Sequence, residues 1–278
     1  MKIAFLGGGN MASALIGGLV AKGFEKNAIS VIEMAPSARE KLAEKFGVRV
    51  STAPDAGTQG SDVLVLAVKP QDMQSGLASL AGSVRGKLVI SIAAGITIDA
   101  LSRWLEGHRR IVRCMPNTPA LIGAGITGLY ASPEVNEGDR KNTETILRAV
   151  GEVVWVAEER LLDPVTAVSA SGPAYVFWFI EQLAASAVEL GIAEPEAKKL
   201  ALHTVLGAAK LAAGSAESPE TLRKNVTSKG GTTEAALNAF AQEQLAERFR
   251  RAVKAASDRA AELGARLGQT QGTGRDKA

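Results

Sequence analysis

Through the first third of the chain, short and almost wholly apolar runs alternate with helix-length segments, and that alternation confines the sequence to very few architectures. The runs lie at residues 3–6, 29–32, 63–68 and 88–92. They lack the polar alternation of a strand with one wet face, so each predicts a strand covered on both faces of a parallel sheet. Residues 11–22, 37–46 and 71–80 have helical length and are bounded by Gly or Pro. Neighbouring parallel strands need a crossover, usually a helix, so the pattern predicts right-handed βαβ units. Further strands are expected at 111–115, 125–130 and 153–156, the last after a helix at 137–150.

The sheet pattern then stops. From Leu161 the chain is rich in Ala, Leu, Glu and Lys, with helix-like segments at 173–190, 195–213, 232–240 and 243–263. The expectation is an α/β chain: a doubly wound sheet over 1–160, then an all-α domain over 161–278, with a polar, disordered tail from about Gly268. Within 173–190 the apolar residues Val176, Phe177, Phe179, Ile180, Leu183, Ala184, Ala187 and Val188 cover more than one face. Such a helix needs partners on several sides, more than so small a domain supplies. A homodimer joined by an apolar, obligate helix-on-helix interface is predicted.

Composition removes several classes of function. Lys plus Arg number 32 against 29 Asp plus Glu, a formal charge of +3 over 278 residues. That leaves no basic stripe to neutralise a row of phosphates, so nucleic acid is not an expected partner. One cysteine, Cys114, and two histidines are too few for an intrachain disulfide or an ordinary structural zinc site, which fits a metal-free protein of a reducing compartment. Cys114 and the tryptophans Trp104, Trp155 and Trp178 read as packing residues. The greasiest stretch, 167–180, is short and broken by Gly172 and Pro173, so no membrane span is predicted. Lys2, an apolar run and Ala12-Ser13-Ala14 imitate a secretory signal, but Gly7-Gly8-Gly9 interrupts the run and cleavage would remove the first strand. A cytoplasmic location is expected.

The turn between the first strand and the first helix reads Gly7-Gly8-Gly9-Asn10-Met11-Ala12, a G-x-G-x-x-A pattern. Gly7 permits the tight turn, Gly9 lets backbone approach a pyrophosphate, and Ala12 lets the helix pack closely on the strand. The phosphate charge then meets free N–H groups at the positive end of the helix. Glu33 ends the second strand, close to the spacing of the acid that bonds a ribose 2′-hydroxyl. These features make the sheet domain Rossmann-like and its cofactor NADH or NADPH. Glu33 favours NAD, whereas Arg39 in the next helix is either a counter-charge for a 2′-phosphate or a solvated surface arginine, so both nucleotides stay open.

Other segments sit where ligands of open α/β sheets bind, at the carboxyl ends of strands. Ala67-Val68-Lys69-Pro70-Gln71 ends one strand; Lys69 is either a ligand for phosphate or carboxylate or an ordinary solvent-facing lysine. Ala93-Ala94-Gly95 ends the next with side chains small enough for a nicotinamide ring to lie against backbone. Met115-Pro116-Asn117-Thr118-Pro119 caps another as a rigid loop carrying an amide and a hydroxyl. In the helical half, residues 169–175 and 226–233 each begin a helix, placing hydroxyls and free N–H groups where a carboxylate can be cradled.

Taken together, FLGGGNMA, AVKPQ, MPNTP, SGPAY and TSxGGTT, in this order over nearly the whole chain, resemble the pyrroline-5-carboxylate reductase family, the last enzyme of proline biosynthesis. The resemblance implies a Rossmann domain followed by a helical dimerisation domain, with interlocked dimers that assemble into decamers in some members. It implies NAD(P)H along Leu6, Gly7, Gly8, Gly9, Asn10 and Met11, with Glu33, Val68, Lys69, Pro70 and Ala94. It places the substrate beside Asn225, Gly230, Gly231, Thr232 and Thr233, the Thr233 hydroxyl bonding the ring nitrogen and the backbone N–H groups of Gly231, Thr232 and Thr233 holding the carboxylate. Two positions depart from the family pattern: Lys229 stands where proline is more frequent, and Glu33-Met34 stands in place of an Asp-Arg or Asn-Arg pair.

Neither His108 nor His203 falls in a motif, and no paired carboxylates or nucleophile–base set appears. Reduction of a cyclic imine tolerates that, because a protonated imine carbon is already electrophilic and catalysis rests on positioning and charge. Hydride is expected to pass from nicotinamide C4 to the iminium carbon. Thr233 is the leading catalytic residue; Ser171 and Asn117 are secondary, each with a plainer role as an N-cap and a turn amide. The substrate loop is expected at the interface with the cofactor domain, contributed by either chain of the dimer. A β-hydroxyacid dehydrogenase would carry an acid–base lysine on the long helix 173–190, which has none. A non-catalytic dinucleotide sensor would leave the polar Thr232-Thr233 loop without a task.

Overall fold

The computed structural model describes residues 1–80 and 82–268, so the tail expected to be disordered falls outside the described residues beyond Gly268. Eight strands form one sheet: β1 Ile3–Leu6, β2 Ile29–Ile32, β3 Arg49–Ser51, β4 Val63–Leu66, β5 Leu88–Ser91, β6 Ile111–Met115, β7 Gly125–Ala131 and β8 Gly151–Trp155, in the order β3-β2-β1-β4-β5-β6-β7-β8. The first six are parallel; β7 runs antiparallel to β6, and β8 parallel to β7. Between them lie α1 Asn10–Ala21, α2 Pro36–Phe46, α3 Ala56–Gln59, α4 Met73–Ala78, α5 Ile98–Trp104 and α6 Glu137–Leu147.

The apolar runs have the predicted cause. Ile3 and Phe5 pack with Leu15, Ile16 and Leu19 in one core, whereas Ala4 and Leu6 pack with Met73, Leu77 and Leu80 in another. A sheet covered on both faces has no wet side, so apolar residues fill both parities and the serines among them, Ser30 and Ser91, are buried. Helix α1 lies so close to the chain after α6 that a Cβ on Gly18 would collide with the carbonyl oxygen of Ala149. The strand expected at 63–68 stops at Leu66, and the helix expected at 71–80 opens as a 3-10 turn, Pro70–Asp72. The strand ends where its partner β1 ends, opposite Leu6, and Pro70, which fixes its own φ, opens the turn that follows. The three-residue β3 was not anticipated, being an edge strand with Arg49 exposed and no apolar run.

By its internal contacts the chain divides into Met1–Ser171 together with the described residues from Ala256 onward, and Gly172–Ala255. Packing explains why residues 161–171 contact the sheet. Helix α7, Leu162–Val165, and the π-helical turn Thr166–Ala170 that follows it bury Leu162 and Ala167, and Val165 sits where a Cβ on Gly128 of β7 would be 2.5 Å from its Cγ1.

The helical unit, Gly172–Ala255, contains α8 Gly172–Glu189, α9 Glu194–Gly214, α10 Pro219–Asn225, α11 Thr232–Gln242 and the first part of α12, Leu245–Gly268. Not one residue of α8 is buried within the chain. Phe177, Trp178 and Phe179 are 60, 56 and 49% exposed. Trp178 is therefore not packed inside a single chain as expected, while Trp104 and Trp155 pack against the cores of the sheet unit. No helix among the described residues is long and apolar enough to cross a membrane.

Candidate active site

The strand order reverses between β1 and β4, and the loops leaving these neighbours form the crevice in which open sheets bind ligands. Gly7 has φ +95°, and a Cβ there would lie 2.9 Å from the carbonyl carbon and oxygen of Ala67, so only glycine fits. The two loops are pinned by Gly7 N–H to Ile32 O and Ala67 N–H to Leu6 O, both 2.8 Å. A Cβ on Gly8 would meet Leu42 Cδ1 at 2.5 Å. Gly9 faces open space, with nothing within 4 Å of its Cβ position, and it opens α1 without a side-chain cap or an acidic residue in the first turn. The leading N–H groups of α1, from Asn10 and Met11 onward, thus present an uncapped positive end to an open approach. That arrangement suits a pyrophosphate.

Glu33 directly follows β2. Its Oε2 accepts Gly8 N–H at 2.7 Å and its Oε1 accepts Ala35 N–H at 2.8 Å. Arg39 Nη1 donates to the carbonyls of Glu33 and Met34 at 2.9 and 2.7 Å, closing the same turn. After β4, Val68 flanks Gly7, Lys69 is exposed, and Pro70 begins the 3-10 turn. After β5, Ala94 is exposed and Gly95, at φ +76°, lies against Gly264 and Leu267 of α12. The expected cofactor residues of this unit thus lie on the loops that leave four adjacent strands, β2, β1, β4 and β5, at their carboxyl ends.

The MPNTP loop follows β6. Asn117 is 9% exposed, and both ends of its carboxamide are engaged: Oδ1 accepts Ile126 N–H at 3.0 Å and Nδ2 donates to Ser169 O at 3.2 Å. It is more than the turn amide that sequence alone suggests. Ser171 is not an N-cap, because its own backbone is helical, φ −84° and ψ −23°, and its N–H donates to Thr166 O at 2.9 Å. The free helix start expected at 169–175 is replaced there by continuous helical turns, in which Ser169 Oγ is buried without a partner. π turns inside helices recur at functional sites.

Sequence reading missed Arg113, whose signal was a lone charge inside an apolar strand. Its side chain is 7% exposed; Nη1 pairs with Glu159 Oε1 at 3.0 Å, and Nη2 lies 4.0 Å from Asp163. Glu159 Oε1 also accepts Ile98 N–H at 2.8 Å, joining β6 to the start of α5. Burial raises the Asp163 carboxyl above its ordinary value, with Arg113 opposing the shift. Cys114, beside it, is buried, which pushes its thiol far up and leaves it inert near neutrality.

In the helical unit, α11 opens at Gly231, again without a side-chain cap. Gly230 holds φ +71°, which requires glycine, and a Cβ on Gly231 would be 2.5 Å from Ser228 Oγ, so that side chain would have to turn aside. Gly230 N–H donates to Glu234 Oε2 at 2.7 Å and Gly231 N–H to Ser228 O at 3.0 Å. Thr232 and Thr233 occupy the uncapped first turn, Thr232 exposed and Thr233 half-buried. Asn225 ends α10 with its Nδ2 on Glu217 Oε2 at 3.1 Å. An uncapped turn carrying two hydroxyls can receive a small carboxylate and one hydrogen-bonding atom beside it. No cluster of three or more His, Cys, Asp or Glu among the described residues is arranged for a metal.

Comparison with known proteins finds matches to two family models, one over the sheet and one over the helical part. Residues 159–263 match the family model described as pyrroline-5-carboxylate reductase dimerisation, and residues 2–95 match the model described as NADP oxidoreductase coenzyme F420-dependent. The pyrroline-5-carboxylate reductase of Pseudomonas aeruginosa is 42% identical over 269 residues, 96% of this chain and 98% of its own. A solved pyrroline-5-carboxylate reductase from Coxiella burnetii superposes with a TM-score of 0.91 at 41% identity, covering 94% of this chain and 98% of that one. The Plasmodium falciparum pyrroline carboxylate reductase, solved with NADP bound, gives a TM-score of 0.81 at 29% identity over 95% of this chain and 98% of that one. Identity above 40% that runs through both the nucleotide loop and the helical unit establishes that this chain belongs to the pyrroline-5-carboxylate reductase family.

Proposed function

We propose that this chain reduces 1-pyrroline-5-carboxylate to L-proline with NAD(P)H, and that Thr233 and the first turn of α11 hold the imine. The observation that carries the reading is the full-length identity to pyrroline-5-carboxylate reductases, 42% over 96% of the chain. The uncapped ends of α1 and α11 support it, one suited to a pyrophosphate and the other to a carboxylate.

The bound nucleotide would supply hydride from C4 of its nicotinamide ring; Gly7, Gly8, Gly9, Asn10, Met11, Val68, Lys69, Pro70 and Ala94 are the residues that would hold it. The N–H groups of Thr232 and Thr233 receive the substrate carboxylate, and the Thr233 hydroxyl bonds the ring nitrogen. That bond fixes the imine plane and favours the protonated nitrogen, on which the neighbouring carbon is most electrophilic. The nitrogen gains one proton and the carbon one hydride, so no covalent intermediate with the protein and no strong protein acid is needed. Ser171 and Asn117 act here by shaping the segment that leads into α8.

A second copy completes the molecule. The groove lined by Tyr175, Trp178, Phe179, Leu237, Phe240 and Phe249, about 790 Å³, is apolar and open in one chain, which supports a homodimer joined through the helical unit. Light scattering distinguishes that dimer from the decamer that some family members form. The proposed setting is the cytoplasm, where reduced nucleotide is available. Turnover with nucleotide deuterated at C4 tests the reaction: deuterium appears in proline at the ring carbon beside nitrogen and remote from the carboxylate. Unlabelled proline, or none, would refute it.

A further inference from the structure

Glu33 is placed to choose between the two nicotinamide nucleotides, a choice that family membership leaves open. It follows β2 beside the dinucleotide loop, and its carboxylate is fixed rather than free: Oε2 receives the N–H of Gly8 at 2.7 Å and Oε1 that of Ala35 at 2.8 Å. The contact is close enough that a Cβ on Gly8 would stand 3.3 Å from Oε2. Each carboxylate oxygen has a second lone pair, so the group still accepts a bond from a ribose hydroxyl. A 2′-phosphate offers only acceptors and adds negative charge against a carboxylate that two backbone bonds prevent from turning away. Arg39 is the cation nearest in sequence, and its Nη1 is engaged on the carbonyls of Glu33 and Met34 at 2.9 and 2.7 Å. It closes the turn that carries the acid.

We infer that Glu33 makes this chain select NADH over NADPH. The inference rests on the nucleotide site proposed above and adds its specificity. The test is direct binding: titration of the apo protein with NADH and with NADPH, read by nucleotide fluorescence, with circular dichroism confirming the fold of each variant. The wild type is expected to bind NADH at least about tenfold tighter, the order of effect of one unscreened like charge. Glu33→Gln keeps one acceptor oxygen and removes the charge, and is expected to bring the ratio to about threefold or less, chiefly by tightening NADPH. Glu33→Asp keeps the charge and the preference for NADH, and Arg39→Met leaves that preference in place.

Equal or tighter NADPH binding by the wild type would overturn the inference, as would an unchanged ratio in Glu33→Gln. Selective loss of NADPH in Arg39→Met would overturn it too, by placing a 2′-phosphate on that arginine. Binding of neither nucleotide would instead remove the nucleotide site itself, and the inference with it.

Discussion

Asn117 spans two segments that are far apart in sequence: its Oδ1 takes the N–H of Ile126 at the head of β7, and its Nδ2 gives to the carbonyl of Ser169 in the π turn. One buried carboxamide thus ties the MPNTP loop to the chain that enters α8. Removing it leaves a buried donor and a buried acceptor unmet. Asn117→Ala is expected to cost about 1–3 kcal/mol of stability. Asn117→Asp retains the acceptor for Ile126 but buries a carboxylate with one oxygen against the Ser169 carbonyl, and should cost at least as much as Asn117→Ala at neutral pH. Urea unfolding of the three proteins checks the order.

Arg110 grips Asp139 with Nε and Nη2 at 2.7 and 2.5 Å, and Asp139 also closes a capping box with Asn136 at the start of α6. The hydrogen bonds from Arg110 hold the 1%-exposed Asp139 carboxyl below its ordinary value. A carboxyl whose folded value is depressed contributes stability above its unfolded value, about 4, and loses it as pH falls through the folded value. Asp139→Asn should therefore cost about 1–2 kcal/mol at neutral pH, less than a fully buried pair because the Arg110 left behind is 35% exposed. The gap from wild type should narrow below about pH 4, as measured by urea midpoints across the acid range.

Gly18 lets α1 approach the backbone of Ala149, whose carbonyl oxygen occupies the place of a Cβ. Gly18→Ala forces the helix carrying the dinucleotide loop away from its neighbour, at an expected cost of about 1–3 kcal/mol. Helix propensity alone would stabilise the variant by up to about 1 kcal/mol. A lower melting temperature is therefore expected, and a higher one would show that propensity outweighs the contact.

Thr233→Val keeps the shape of the side chain and deletes only the hydroxyl. The expected result is a fall in kcat/KM for the imine of about ten- to a hundredfold, with nucleotide affinity and melting temperature unchanged. Steady-state constants indistinguishable from wild type would remove Thr233 from the reaction.

Trp178 is 56% exposed within one chain and lines the apolar groove of the helical unit. If that groove is where a second copy packs, Trp178→Glu places a charge in an apolar interface and should shift the protein toward monomer in sedimentation velocity. An unchanged sedimentation coefficient would locate the interface elsewhere.

The sheet was legible because burial on both faces writes itself as nearly continuous apolar runs, and β1, β2 and β6 begin and end where expected. The glycine pattern located the α1 turn because Gly7 has no substitute at φ +95°. What stayed hidden depended on contacts distant in sequence. The short β3 pairs only with β2, and the π turn before Ser171 answers to Asn117 some fifty residues earlier. The helix at 169–175 looked like a free start because Gly172-Pro173 usually marks one, yet the turns packed on β7 run straight into it. Trp178 misled for a related reason: an aromatic residue on an apolar helix implies burial without saying in which chain.

The most direct test of the account is the initial rate of loss of reduced-nicotinamide absorbance on adding 1-pyrroline-5-carboxylate, with L-proline quantified in the same reaction. The account predicts loss only when protein, imine and nucleotide are all present, with one proline formed for each nucleotide oxidised. Flat absorbance from protein shown to be folded and to bind the nucleotide would contradict it.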